Sequence, residues 1–397
     1  MQNESTTVKK QTMFIPLLAT FMMHFSIFIV TPILPIILKT EKNLELIEIG
    51  VVISANFFSY QVGSFMSGFL SDQIGKRYTL VLGSLIQAYS ILFYAFLSSY
   101  YLLITISVLH GFGHGLNNPT IKAIICQGAS DIQDKRTQAF SLRGVVAHSG
   151  ISLAGLILLF LTHSKIVFYI ASITYFTLSI IFFLFIKNNR NDEPKTKMKE
   201  YLKMFKNTAF ILLSLILIMV NIAYTQLQFL LPIKGEAILN NNKLVGIIWT
   251  MISLEVILFQ TIISKRVLLK LNPLYSLFYA LLFFSGGIIL LGFAGNYFIL
   301  FISAFIFTIG QMLMSPITDS LVGKIAEKKL IGSYFGIANL LMGLGAAIGT
   351  YLSGLIIDLY GINRSKTPWL IISIAILIFG LLIILLKKNE NIKSKFD

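Results

Sequence analysis

Apolar residues in this chain gather in long runs separated by short polar clusters. A helix needs roughly 20 mostly apolar residues to cross about 30 Å of hydrocarbon. Twelve runs approach that length: 12–38, 47–70, 78–97, 100–126, 138–161 and 165–187 in the first half, then 207–232, 244–264, 272–293, 297–320, 330–358 and 368–386. The pattern predicts an all-α membrane protein with twelve transmembrane helices. The stretch 1–11 ahead of the first run is polar and carries Lys9 and Lys10. The run behind it is longer than a signal-peptide core and has no small-residue cleavage site, so it is read as a retained first span.

The longest polar interruption, Asn188 to Lys206, falls near the middle and divides six spans from six. The expected organisation is therefore an N-terminal bundle over 1–187, a basic cytoplasmic linker over 188–206 and a C-terminal bundle over 207–397. Met and Leu positions in the linker suit a segment lying at the membrane surface, and a solvated linker fits equally well. An even number of spans puts both termini on one side. Lys9, Lys10, Lys76, Arg77, Lys135, Arg136, seven basic residues from Lys187 to Lys206, Lys265, Arg266, Lys270, Lys324, Lys328, Lys329 and four in the tail share that side, which makes 23 of the 32 Lys and Arg. Seven lie opposite, and Lys122 and Arg143 fall inside or at the ends of spans. The positive-inside rule then places both termini and the linker in the cytoplasm.

Composition agrees with lipid as the solvent. Hydrophobic residues make up 56% of the chain and charged residues 12%, against about 25% charged in ordinary soluble domains. The net charge of +15 could suggest nucleic acid, but the basic residues sit in short clusters between apolar runs rather than on one surface or arm. No nucleic-acid partner is expected. The single cysteine, Cys126, excludes an internal disulfide and reads as packing.

The loop after span 2 carries Gly68-x3-Asp72-x2-Gly75-Lys76-Arg77. Gly68 permits close helix approach and Gly75 a tight turn. Asp72 can face a helix N-terminus or a basic partner, and Lys76 and Arg77 can face the cytoplasm. Gly354-x3-Asp358-x2-Gly361 repeats the spacing after span 11, where it reads as a turn signal. Span 5 has Ala139-Phe140-Ser141-Leu142-Arg143 followed by Gly150. Span 7 has Tyr224, Gln226 and Pro232, Gly246 and Gln260 flank span 8, and span 10 has Gly310, Gln311 and Pro316.

With six spans either side of a basic loop, these motifs resemble the major facilitator superfamily, and within it the twelve-span multidrug/proton antiporter branch. The resemblance covers essentially the whole chain. It implies two pseudo-symmetric six-helix bundles with a substrate site near the midplane, and Gly68, Asp72, Gly75, Lys76 and Arg77 as a gating motif. Three positions depart from that branch: Ser107 stands where span 4 has an arginine, Ala154-Gly155 replaces Gly-Pro in span 5, and Gln311 replaces an acidic residue in span 10.

Each ionisable residue at bilayer depth costs about 2.5–3.5 kcal/mol on insertion scales and asks for a reason. Glu255 lies in the middle of span 8 with no basic neighbour in sequence, which suits a proton carrier. His110 and His114 share a face of span 4 at i and i+4, and Asn117, Asn118 and Lys122 continue a polar strip down that helix. With no carboxylate or thiol nearby, a metal site is not expected. Proton relay or substrate hydrogen bonding is the functional reading, and neutral packing is the alternative. His24 and His148 can face the same cavity. Lys122 and Arg143 lie toward the cytoplasmic ends of their spans at the depth of Asp319. They read as a cationic cavity floor, as a pair with Asp319, or as snorkelling cations. Tyr224, Gln226, Gln228 and Gln311 are candidates for the other wall, with Asn339 a lesser one. Glu255, His110, His114, His24 and Asp319 are the proton-coupling candidates. The glycines of span 11 read as packing.

No nucleotide-binding, nucleophile-elbow or metalloprotease motif appears, so neither an enzyme nor a cofactor is expected. The chain reads as a monomeric secondary transporter of a bacterial plasma membrane. The resemblance implies lipid, a small-molecule substrate and protons as partners, and export of amphipathic molecules or drugs by alternating access. The alternatives are an importer or facilitator of an anionic metabolite or peptide, and, in another class, a non-transporting sensor on a transporter scaffold.

Overall fold

The computed structural model describes residues 2–34, 37–38, 41–129, 133–158, 164–187, 204, 206–239, 242–361 and 365–388. Among them are twelve helices of 19 residues or more and no strand. In chain order they are α1 Gln2–Val30, α2 Leu46–Gln73, α3 Lys76–Tyr94, α4 Tyr100–Gly128, α5 Gln133–Leu158, α6 Ser164–Phe185, α7 Thr208–Leu239, α8 Asn242–Ile263, α9 Pro273–Phe293, α10 Tyr297–Ile325, α11 Ile331–Tyr360 and α12 Thr367–Lys388. Eight contain stretches long and apolar enough to cross a membrane by length and composition alone. The other four, α2, α3, α4 and α8, carry much of the polar chemistry described below.

One boundary differs from the sequence pattern. The apolar run over 12–38 does not form one helix, because α1 stops at Val30. Pro32 follows, and it lacks a backbone donor and disfavours helical geometry in Thr31, which lies in a turn. The expected surface segment in the linker falls on 188–203, outside the described residues. Local chemistry sets other ends. Asn272 caps α9 by accepting from the Leu274 amide at 3.0 Å, with Pro273 in the first turn. Two glycines with positive φ make the turns expected of them: Gly75 at 91° between α2 and α3, and Gly361 at 75° after α11.

The chain divides into two compact units that exchange segments. The first holds Met1–Ser130, Val146–Met204 and Ala326–Leu340, and the second holds Asp131–Val145, Phe205–Ile325 and Leu341–Asp397. Thus α5 and α11 each contribute one end to either unit. Packing within the first unit joins α3 to α4 and α6, and α1 to α4 and α6. Within the second, the helices six places on make the same set: α9 with α10 and α12, and α7 with α10 and α12. The six spans on each side of the linker therefore repeat these helix pairings.

Solvent chemistry is reversed relative to a soluble protein. Large apolar side chains face outward, among them Phe58 at 74% exposure and Ile173 at 64%, while Ser59, Ser64, Ser67 and Ser71 of α2 are buried. Lipid offers apolar groups nothing to escape from, so close backbone packing and interhelical hydrogen bonds hold the helices together. Along the α2–α4 seam, β-carbons added at Gly63, Gly111 and Gly115 would fall on the carbonyls of Phe112, Asn56 and Tyr60. Gly345 and Gly349 bring α11 equally close to Ile218 and Ile222 of α7 in the second unit.

Candidate functional site

In the first unit the Gly68–Arg77 motif meets the start of α11. Ser333 Oγ donates to Asp72 Oδ2 at 2.7 Å. A β-carbon on Gly68 would land on the Ser333 backbone, and one on Gly336 would land on the Ser64 carbonyl. Residues 64 and 68 thus run antiparallel to 336 and 333 with backbones touching, and the Ser71 and Asp72 side chains lie against Gly332. Asp72 lies beyond the apolar stretch of α2. Burial raises its pKa from 3.8 to about 6, while the Ser333 hydroxyl and the Lys76 charge pull the other way. Ser333 was not legible as a partner from sequence, since 261 residues separate the two.

Lys76 and Arg77, expected to face water, turn back onto helix ends. Lys76 Nζ donates to Gln127 Oε1 in the last turn of α4. Arg77 Nε donates to the carbonyl of Ile186, just past α6, and its guanidinium lies 5.7 Å over the Phe183 ring. Cations at helix C-termini meet unpaired carbonyls and the negative end of the dipole, which favours this arrangement over solvation. Burial lowers the Lys76 pKa to about 8, against the opposing attraction of Asp72.

The polar strip of α4 is brought together but divided in purpose. His110 and His114 do share a face, and it is turned to α2. Asn56 Nδ2 donates to the Ser107 carbonyl and to His110 Nδ1, both at 3.0 Å. An amide nitrogen cannot accept, so His110 Nδ1 holds a lone pair and the ring is neutral with its proton on Nε2. That contact occupies the lone pair a relay would protonate. The His114 ring lies 4.6 Å from that of Tyr60, whose hydroxyl accepts from Asn118 Nδ2 at 2.8 Å. Asn117, expected on a cavity wall, is fully buried against Ser84 and Gln87 of α3. Gly83 and Gly113 let the two helices close around it. Ser107, at the position of the expected arginine, is buried and donates to the Val52 carbonyl at 2.6 Å. Lys122 is buried and donates to Asn339 Oδ1 of α11 at 3.2 Å. His24 Nδ1 donates to the Thr20 carbonyl at 2.8 Å, and His148 sits half-buried on α5.

In the second unit Arg143 Nη1 stands 4.0 Å from Asp319 Oδ2, with side-chain exposures of 11% and 5%. Of the readings open to Arg143, the ion pair is the one formed. Six residues earlier on α5, Thr137 donates to Ser320 at 3.1 Å. Gln260 of α8 donates to the Met312 carbonyl at 3.1 Å. Gln226 donates to the Ile222 carbonyl at 2.7 Å and accepts from Ser353 Oγ at 2.5 Å, which commits it to the α7–α11 seam. The Tyr224 ring lies 6.2 Å from Phe284, and Gln311 is half-buried on α10. The Gln228 side chain lies outside the described residues. Glu255 is 5% exposed, and its Oε1 has no hydrogen-bond partner among the described residues. It is the carboxyl at bilayer depth that the described structure leaves uncommitted.

Comparison with known proteins agrees with this architecture. The Major Facilitator Superfamily family model matches residues 17–350 and again 238–397. The chain is 24% identical over 375 residues to the MFS-type transporter YttB of Bacillus subtilis (strain 168), covering 91% of each. It is 24% identical over 395 residues to the quinolone resistance protein NorA of Staphylococcus aureus (strain MSSA476), covering 94% of this chain and 98% of the relative. Among solved structures, the human organic anion transporter MFSD10 (TETRAN) superposes with a TM-score of 0.77 at 16% identity, covering 94% of this chain and 99% of the other.

Proposed function

The chain belongs to the major facilitator superfamily, and we propose that it is a proton-coupled exporter of small amphipathic molecules, working by alternating access. It is a multi-pass membrane transporter of a family with bacterial members. The quinolone-resistance relative supports export of drug-like molecules. The basic clusters support a plasma-membrane orientation with both termini in the cytoplasm.

The observation that carries the proton is Glu255. Asp319 is engaged by Arg143, and His110 is held neutral by Asn56. Of the two carboxyl candidates, Glu255 is the one whose buried oxygen has no hydrogen-bond partner among the described residues. A carboxyl can cross between aqueous sides of such a site as a neutral acid, and coupling follows if its protonation differs in energy between the two transport states. The Asp72–Ser333 contact and the glycine approach beside it supply a joint that opens and closes with the cycle.

A second reading rests on Lys122. A buried ammonium bonded to an amide oxygen suits an anionic substrate group, and with it a facilitator or importer of an anionic metabolite or peptide. Proteoliposomes with an imposed pH gradient and an internal pH dye separate the two. Proton movement on adding a lipophilic cation supports the exporter. Equilibration of a labelled organic anion without proton movement supports the alternative and overturns the exporter.

A further inference from the structure

In the second unit α10 runs unbroken from Tyr297 to Ile325 with Pro316 inside it. Along an α-helix each carbonyl accepts from the amide four residues further on. Proline has no amide hydrogen, so Pro316 withdraws the donor that the Met312 carbonyl would ordinarily use. Within a bilayer such a freed carbonyl is met by a side chain or a neighbouring helix. Gln260 of α8 does both: its Nε2 donates to the Met312 oxygen at 3.1 Å, and both residues are buried.

The same glutamine stands beside both helices of the buried ion pair. Met312 is about two helical turns before Asp319, which puts the two residues on one side of α10. The Gln260 oxygen lies toward α5 at Gly144, where an added β-carbon would stand 3.9 Å from Oε1. Gly144 directly follows Arg143, the partner of Asp319. Just past the proline, Thr318 Oγ1 donates back to the carbonyls of Met314 at 3.2 Å and Ser315 at 3.0 Å. Hydroxyls that bond back to their own helix in this way bend and slightly destabilise it. The weak point of α10 therefore falls over 312–318, and the segment beyond it carries Asp319.

We propose that α10 hinges at Pro316 and that Gln260 is the positioning residue that pins the hinge, supplying from α8 the donor that the proline withdraws. A donor from within the helix is released only by unwinding that helix. A donor from the side chain of another helix is released and remade while α10 stays helical on either side of the joint. Formed, the Gln260 bond fixes the Asp319 end of α10 beside Arg143. Broken, it lets that end swing about the proline. The hinge involves neither the transported proton nor the substrate, so it stands or falls separately from the function proposed above.

Thermal melting of the full chain in detergent, with Gln260→Met, Pro316→Ala and the double variant, tests the pin. Methionine keeps the length of the side chain and removes the donor, while alanine at 316 restores an amide that bonds the Met312 carbonyl from within α10. Gln260→Met is expected to lower the melting temperature when Pro316 is present and to leave it unchanged in the Pro316→Ala background. An equal fall in both backgrounds overturns the proposal, because Gln260 would then act by packing alone. Hydrogen exchange read by mass spectrometry, in lipid nanodiscs, follows the hinge itself. In Gln260→Met exchange should rise several-fold over 317–325 and hold over 297–311, and adding Pro316→Ala should suppress the rise. A uniform rise along α10, or no rise, overturns the hinge.

Discussion

Ser333 reaches across 261 residues of sequence to donate a 2.7 Å hydrogen bond to the carboxylate of Asp72. The carboxylate is poorly solvated, so its pKa is raised to about 6, and the hydroxyl is one of two groups restraining that rise. For a raised carboxyl the sign is definite. This arrangement favours the protonated acid, its contribution is complete below the ordinary value of 3.8, and it is lost as pH rises through about 6. Removing the hydroxyl in Ser333→Ala should move the midpoint upward. Infrared titration of the carboxyl stretch, differenced against Asp72→Asn, reads it. An ordinary carboxylate midpoint in both proteins would contradict the burial described for this group.

Backbone contact at Gly68 leaves no room for a methyl group. Gly68→Ala must separate α2 from the start of α11, at a cost of about 1–3 kcal/mol for overpacking. Gly295→Ala is the control, since nothing lies within 4 Å of its β-carbon position. The melting temperature should fall for the first variant and hold for the second. Equal melting temperatures would show that α2 and α11 are not in contact.

Arg143 and Asp319 are buried partners, so neutralising one strands the other. Arg143→Gln or Asp319→Asn alone should destabilise by about 3–5 kcal/mol, and the double variant should recover much of that loss. Denaturation in detergent measures the cycle. A double variant as unstable as the sum of the singles would mean that the two side chains do not pair.

Much of the fold was legible because lipid imposes a length. The run at 100–126 became Tyr100–Gly128 and that at 272–293 became Pro273–Phe293. The start of the chain misled because apolarity continues past Val30 while the helix stops just ahead of Pro32, a case where backbone chemistry overrides hydropathy. The turn at Gly75 and the close approach at Gly68 were readable from residue type. The direction of polar side chains was not. Asn117 and His110 share a helix with Lys122, yet Asn117 points to α3, His110 to Asn56 of α2, and Lys122 to Asn339 of α11. Only tertiary packing separates those outcomes. Ser333 gave no signal at all, since a serine in an apolar run has many ordinary uses.

Glu255 is proposed to carry the transported proton. Proteoliposomes of wild type and Glu255→Gln, with an internal pH dye and a labelled lipophilic cation, test it most directly. Cation-driven proton movement is expected in the wild type. In Glu255→Gln that movement should vanish while the labelled cation still equilibrates. Proton movement of equal rate and pH dependence in both proteins would contradict it.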